Sequence, residues 1–296
     1  MDKKVKAPGI INLQKLEKIA LNNLSTNFID LYPKFKSVFA LASAGLPVSN
    51  SVIVSDKTAS IKSELEKIIK RWNVNKYTIR SEKKFGTVNS KSVQGCKLED
   101  VWINVEKFLD QGLLPMVIDQ GDVYHNTYSV NILVDPKNYS EYYLEIVGSG
   151  FCSTDINKRD IVNERGILTK DVKLINSRVI DQKTYDHQVI LLKENAIKKE
   201  IEKGRRFANK KEAFSWVSSY LKTVNALILK QTKYIPIDSK HLRLIWNFLP
   251  GILESGELMG YAGEKYVVSM AFVIENKTEK PYFWDIYPLN GYKKMI

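Results

Sequence analysis

Cysteine is nearly absent from this 296-residue chain, which has two, Cys96 and Cys152. There is no CxxC pair and no histidine at metal-ligand spacing from either, which argues against a disulfide framework and a zinc site. Each sulfur reads as an ordinary thiol. Histidine is nearly as scarce, with three residues, and His125 alone lies near the segments of interest, in a turn without an identified partner. No GxxxxGK(S/T) run occurs, so the chain has no Walker A loop. No stretch approaches the roughly 20 apolar residues that cross a bilayer. The start, Met1 to Lys6, lacks a following apolar signal core. The expectation is a soluble, cytoplasmic protein with no membrane partner. No internal repeat or low-complexity tract is present.

What is present is size and positive charge. With 44% hydrophobic residues the chain can bury a substantial core, and its length exceeds the usual single-domain range. Lys and Arg number 45 against 33 Asp and Glu, a formal charge of +12. Such a surface attracts polyanions: nucleotides, nucleic acid, acidic polymers or anionic lipid. Part of the excess sits in Lys193–Lys211, where Glu194, Glu200 and Glu202, with Glu212 next to its end, fall at spacings for helical ion pairs. That segment reads as a solvated amphipathic helix or as a docking face for an anionic macromolecule.

Periodicity predicts an opening helix over 11–31, a strand at Ser51–Val54, a helix at Ala59–Trp72 and a strand at Tyr77–Arg80. A polar loop through Gly95 and a helix at Leu98–Leu109 follow. Tyr128–Val134 and Tyr142–Val147 read as a hairpin around Asp135–Asn138. Residues 171–193 suggest two short strands, 194–206 and 210–231 two helices, and Ser239–Leu249 a last helix. Two strands, Lys265–Ile274 and Pro281–Tyr287, end the chain. The alternation suits an α/β or α+β lobe; the expectation is an α+β protein divided into a smaller lobe over 1–110 and a larger one over 111–296.

Two segments carry the chemistry. In Lys34–Val48 (KFKSVFALASAGLPV), a lysine opens an apolar helix, a glycine ends it and a proline leads into a strand. In Lys76–Glu82 (KYTIRSE), a β-rich strand ends on a fixed cation, Arg80. A lysine and an arginine brought together this way can hold a polyphosphate, the arginine as a fork and the lysine as a point charge. The plainer readings are a solvated Lys34 and an Arg80 paired with adjacent Glu82. The long loop from Ser81 to Gly95 contains Lys83, Lys84 and Lys91, and can close over phosphates or simply lie on the surface. Asp285, between Trp284 and Ile286 in an apolar strand, is costly to bury unless paired or metal-bound. Glu145, inside an apolar strand, is a ligand for ribose, metal or substrate, or a water-facing residue.

The order lysine, helix, Gly-Leu-Pro-Val, strand, helix and strand ending in Arg-Ser resembles the N-terminal nucleotide-binding domain of phosphoenolpyruvate synthase and pyruvate phosphate dikinase, of the ATP-grasp type. Ile79-Arg80-Ser81 is similar to that family's "VRS" strand end, Ser129–Pro136 to its "SGVAFTRDP" strand, and Gly148–Phe151 through Asn163-Glu164 to a faded form of its "GLGE…G…P" segment. The resemblance implies a two-lobed ATP-grasp-like fold with the nucleotide cleft between lobes, and ATP and Mg2+ as cofactors. It implies Lys34 and Arg80 on the phosphates, with Ser81 and Lys83 beginning the covering loop, and Asp119 and Gln120 at the hinge by the adenine. Tyr282–Pro288 resembles the family's metal-ligand strand, with Asp285 in place of glutamine. The partner strand departs from the pattern: Val267–Phe272 has no acid, and Glu275 lies near its far end. The function this implies is Mg-ATP-dependent phosphoryl transfer or ligation. The acceptor is a small or acidic molecule, for which Arg159, Arg165 and the basic segment are candidates. The alternatives are an inactive nucleotide-binding module and a basic nucleic-acid-binding protein.

Overall fold

The computed structural model describes residues 9–12, 31–86, 92–119, 126–149, 151, 156, 161–202, 204–223, 231–275 and 277–289. The protein is α+β, with two antiparallel sheets and two compact units. One unit comprises Met1–Asp122, Gly251–Tyr261 and Phe283–Ile286, and the other Val123–Pro250, Ala262–Tyr282 and Tyr287–Ile296.

The first sheet holds β1 (Ile10–Asn12), β2 (Ser51–Val54), β3 (Tyr77–Glu82), β4 (Ser92–Cys96) and β5 (Leu114–Ile118), in the order β1-β2-β5-β3-β4. Three helices accompany it: α1 (Pro33–Ser43), α2 (Ala59–Lys70) and α3 (Leu98–Asp110). Strand alternation sorts two cores. Val52, Val54, Ile79 and Val117 pack with Leu65 and Ile69 of α2 and with Val101, Val105 and Phe108 of α3. Ile53, Met116 and Ile118 turn the other way, onto Phe35, Val38 and Phe39 of α1. Because both faces are covered, β5 reads as an unbroken apolar run, LPMVI, with every residue buried. The same alternation sends Arg80 and Glu82 to the α1 face, opposite Met116 and Leu114.

Helix α1 ends as its glycine predicts. Gly45 has φ +74°, and the Leu46 N–H reaches the Leu41 carbonyl at 3.1 Å, closing the helix with a left-handed residue. Gly251 packs on this turn. A Cβ there would stand 2.9 Å from the Ala44 carbonyl oxygen. Gly251→Ala should therefore destabilise the protein by about 1–2 kcal/mol in denaturant melts. Backbone crowding outweighs the roughly 1 kcal/mol that alanine gains in a helix.

The second sheet runs β11-β10-β6-β7-β8-β9, from β6 (Asn126–Val134), β7 (Glu141–Val147), β8 (Glu164–Thr169), β9 (Leu174–Val179), β10 (Tyr266–Glu275) and β11 (Thr278–Pro288). The β6–β7 hairpin pairs Ser129 with Val147 through Leu133 with Tyr143. Three further helices among the described residues are α4 (Gln182–Glu202), α5 (Lys210–Thr223) and α6 (Ser239–Met259). Glu164 is buried yet satisfied, accepting from the Tyr234 hydroxyl at 2.7 Å and the Ile237 N–H at 3.0 Å.

Several expectations need correction. Residues 11 and 12 of the expected opening helix belong to the strand β1, and 13–30 lie outside the described residues. Ser92–Cys96, expected as loop, pairs with β3 as β4. β5 pairs with β2 and β3 in the first sheet. The region 171–193 holds one strand and the start of α4. The basic segment is broken: α4 stops at Glu202, Gly204 takes φ +95°, and α5 begins at Lys210. Arg205–Glu200 and Lys210–Glu194 ion pairs absorb part of its charge. No helix among the described residues is long and apolar enough to cross a membrane.

Candidate functional site

The N-terminus of α1 leaves backbone N–H groups without helical partners. Its N-cap residue, Tyr32, makes no side-chain capping bond, and the first turn has no acid. Glu82, the last residue of β3, supplies the missing acceptor. Its Oε1 takes the Lys34 N–H at 2.8 Å and its Oε2 the Phe35 N–H at 2.9 Å. A buried carboxylate from another segment thus anchors the turn that carries Lys34. Burial pushes the Glu82 pKa up and Asp285 adds to the rise, while the two backbone bonds and the Lys34 charge oppose it.

Two residues earlier on the same face, Arg80 donates from Nη2 to Asp285 Oδ2 at 3.2 Å. Both side chains are mostly buried, at 20% and 25% exposure. The other Asp285 oxygen, Oδ1, is buried and has no hydrogen-bond partner. β11 is fixed beside this point by the Phe283 N–H, which donates to the Pro47 carbonyl at 2.8 Å, and by a parallel bridge from Phe283 to Val48. Lys34, Arg80, Glu82 and Asp285 therefore form one electrostatic cluster within the first unit. Arg80 pairs with Asp285, not with the adjacent Glu82.

The remaining predicted residues are distributed differently. Ser81 is fully buried, and alternation turns it away from the face of Arg80 and Glu82. Lys83 is exposed just past β3, and residues 87–91 of the loop lie outside the described residues. Asp119 follows β5, accepts from the Asn50 side chain and donates its N–H to the Asn50 carbonyl. Gln120, His125, Cys152 and Arg159 lie outside the described residues, as does the side chain of Glu275, the last residue of β10. Glu145 belongs to the second unit. It is buried rather than water-facing, and Arg165 Nε donates to it at 2.9 Å. Cys96 is free and buried, and burial raises its thiol pKa. Among the described residues no group of three or more His, Cys, Asp or Glu is placed to hold a metal ion.

Sequence reasoning missed Glu82 as the organiser of this cluster. The signal was available, because Arg80 and Glu82 at i and i+2 of a strand must share a face.

No protein-family model matches the sequence, and no curated protein matches it. Among solved structures the chain aligns with D-alanyl-alanine synthetase A from Vibrio cholerae at 10% identity and a TM-score of 0.43, over 90% of this chain and 57% of that one. It aligns with a D-cycloserine synthetase at 9% identity and 0.41, over 94% and 73%. The D-alanine-D-alanine ligase from Coxiella burnetii aligns at 10% identity and 0.37, over 94% and 56%. The chain spans little more than half the length of the first and third. Likenesses this distant leave the functional reading to the residues themselves.

Proposed function

We propose that this chain is an ATP-grasp-like, Mg-ATP-dependent enzyme of the ligase or phosphotransferase type. The reading rests chiefly on the cluster of Lys34, Arg80, Glu82 and Asp285. The ordered Lys, Gly-Leu-Pro-Val and Arg-Ser segments, similar to the phosphoenolpyruvate synthase type, add to it. In this reading Arg80 forks onto phosphate oxygens, Lys34 supplies a second positive charge, and exposed Lys83 contributes a third. Glu82 holds Lys34 in place through the helix backbone.

The buried, unpartnered Oδ1 of Asp285 fits a hard-cation ligand, and Mg2+ needs only one or two carboxylates when phosphates complete its shell. When bound there it would neutralise phosphate charge. The acceptor class is a carboxylate. One of its oxygens attacks the terminal phosphorus, the bond to the bridging oxygen breaks, and ADP leaves. An amine or other nucleophile then attacks the acyl carbon and displaces phosphate, losing its proton to solvent.

Two observations favour a second reading, nucleotide binding without turnover. Asp285 is tied to the cation meant for the phosphates, and Val267–Phe272 offers no acid, its Ser269 being bonded to Asn131 at 2.7 Å. Calorimetry separates the readings. Magnesium-dependent ATP binding is expected, weakened about 10–100-fold by Arg80→Ala with the circular dichroism spectrum unchanged. Unaltered binding in that variant would sink the assignment. Binding without ATP consumption across a panel of carboxylates and amines would select the second reading.

A further inference from the structure

Arg80 is already engaged by an anion of the chain's own. Asp285 Oδ2 accepts its Nη2 at 3.2 Å, and among the described residues each side chain has the other as its one hydrogen-bonded partner. Glu82, the other carboxylate on this face of β3, is no substitute. Its two oxygens hold the Lys34 and Phe35 N–H groups. The strand that brings Asp285 to Arg80 is fixed at this point. The Phe283 N–H donates to the Pro47 carbonyl at 2.8 Å, Phe283 bridges to Val48, and Phe283 and Ile286 are both buried.

The space beside the pair is equally closed. A cavity bounded by Ser49, Ser51, Arg80, Met116, Phe283 and Trp284 measures about 10 Å³. That is barely the room one water needs, and a phosphoryl group does not fit. Yet the pair is poorly completed as a structural ion pair. A full arginine–carboxylate fork makes two parallel N–H···O bonds. Here one is made, and the second carboxylate oxygen, Oδ1, is buried without a partner. An incomplete contact that covers a cation suited to phosphate is one that a better anion can displace.

We propose that Asp285 is a magnesium-sensitive latch on Arg80: it occupies the guanidinium, a phosphate group must displace it, and a divalent cation on Oδ1 loosens it. The inference rests on the nucleotide reading and adds how that same site is regulated. Arg80 and a hard cation compete for one carboxylate charge, so Asp285 cannot serve both fully. An anion that binds only the unlatched arrangement has its affinity reduced by the fraction of molecules in that arrangement. Removing the latch should restore that affinity without any metal.

The test measures ATP binding by calorimetry, in EDTA and again with magnesium, for the full chain and for Asp285→Asn, which keeps the shape and removes the charge. In EDTA, Asp285→Asn is expected to bind ATP about 10–100-fold more tightly than the parent. Added magnesium should strengthen binding in the parent and not in the variant. Asp285→Ser, too short to reach Arg80, should behave alike and preserves the test if the asparagine variant folds poorly. The double variant Arg80→Ala/Asp285→Asn should lose the gain, which separates release of Arg80 from simple removal of a negative charge. The latch is overturned, with the nucleotide reading intact, if the parent binds Mg-ATP while neither Asp285 variant binds metal-free ATP more tightly. A gain that survives in the double variant, or a magnesium effect of parental size in Asp285→Asn, overturns it as well. Absence of ATP binding in the parent and in every variant, with and without magnesium, overturns both.

Discussion

His241→Ala is expected to lower the stability of the protein by about 3–5 kcal/mol, the cost of breaking a buried ion pair and stranding its partner. His241 is 6% exposed at the start of α6. Its Nδ1 meets Asp238 Oδ1 at 2.7 Å and its Nε2 meets Glu279 Oε2 at 2.8 Å. The ring also packs edge-on against Tyr128 and Phe272, with centroids 5.0 and 4.6 Å away. Glu279 accepts from Thr127 and has Lys240 at 4.0 Å. Burial pulls the imidazole pKa down, but the bonds to Glu279 and Asp238 and their charges outweigh it and leave it above the usual 6.5. The contribution of His241 is therefore complete below about 6.5 and fades as pH rises through the higher folded value. Glu279 and Asp238 shift the opposite way, below 4.5 and 3.8, so their contribution fades as pH falls. Tyr128, pushed up to about 12, stays neutral throughout. Urea melts from pH 5 to 9 should show the parent losing stability on the alkaline side and His241→Ala running flat there. Parallel profiles would refute the linkage.

Glu82→Ala carries the second large effect, about 2–4 kcal/mol, because two N–H groups at the buried start of α1 lose their acceptor. Glu82 is 3% exposed, so water cannot readily replace it. Glu82→Gln retains one acceptor oxygen and should lose roughly half as much. The folded pKa of Glu82 is raised above 4.5, so its contribution is greatest in acid and declines as pH rises through that value. The stability gap between the parent and Glu82→Gln should accordingly narrow toward neutrality. Fluorescence-monitored denaturation at pH 4 and pH 7 measures it, and a gap that widens would contradict the assignment. In the proposed nucleotide-binding reading both variants should also weaken Mg-ATP binding, since the turn bearing Lys34 loses its anchor.

Much of the fold was legible because single segments carried their own periodicity. β2 lies over Ser51–Val54 as read, and α3 extends its reading by one residue, to Asp110. β4 was hidden by its composition: Ser92, Gln94 and Gly95 look like loop, and only pairing with β3 makes them strand. α4 was obscured because its buried residues, Tyr185, Gln188, Leu192 and Ile197, are sparse and partly polar. α6 runs through Pro250 to Met259, ten residues beyond the expected end at Leu249. At the site, Arg80 and Asp285 were each readable as charges needing partners. That they partner each other, and that Glu82 holds Lys34, depends on contacts between distant segments that no local pattern encodes.

The bond from the Phe283 N–H to the Pro47 carbonyl has a consequence for biosynthesis. The first unit includes Gly251–Tyr261 and Phe283–Ile286 as well as the chain up to Asp122. During translation its opening strands and helices emerge early, yet Arg80 has no Asp285 to meet until 205 further residues have been added. A nascent chain halted between the two holds an uncompensated guanidinium and an open Gly-Leu-Pro turn until β11 arrives.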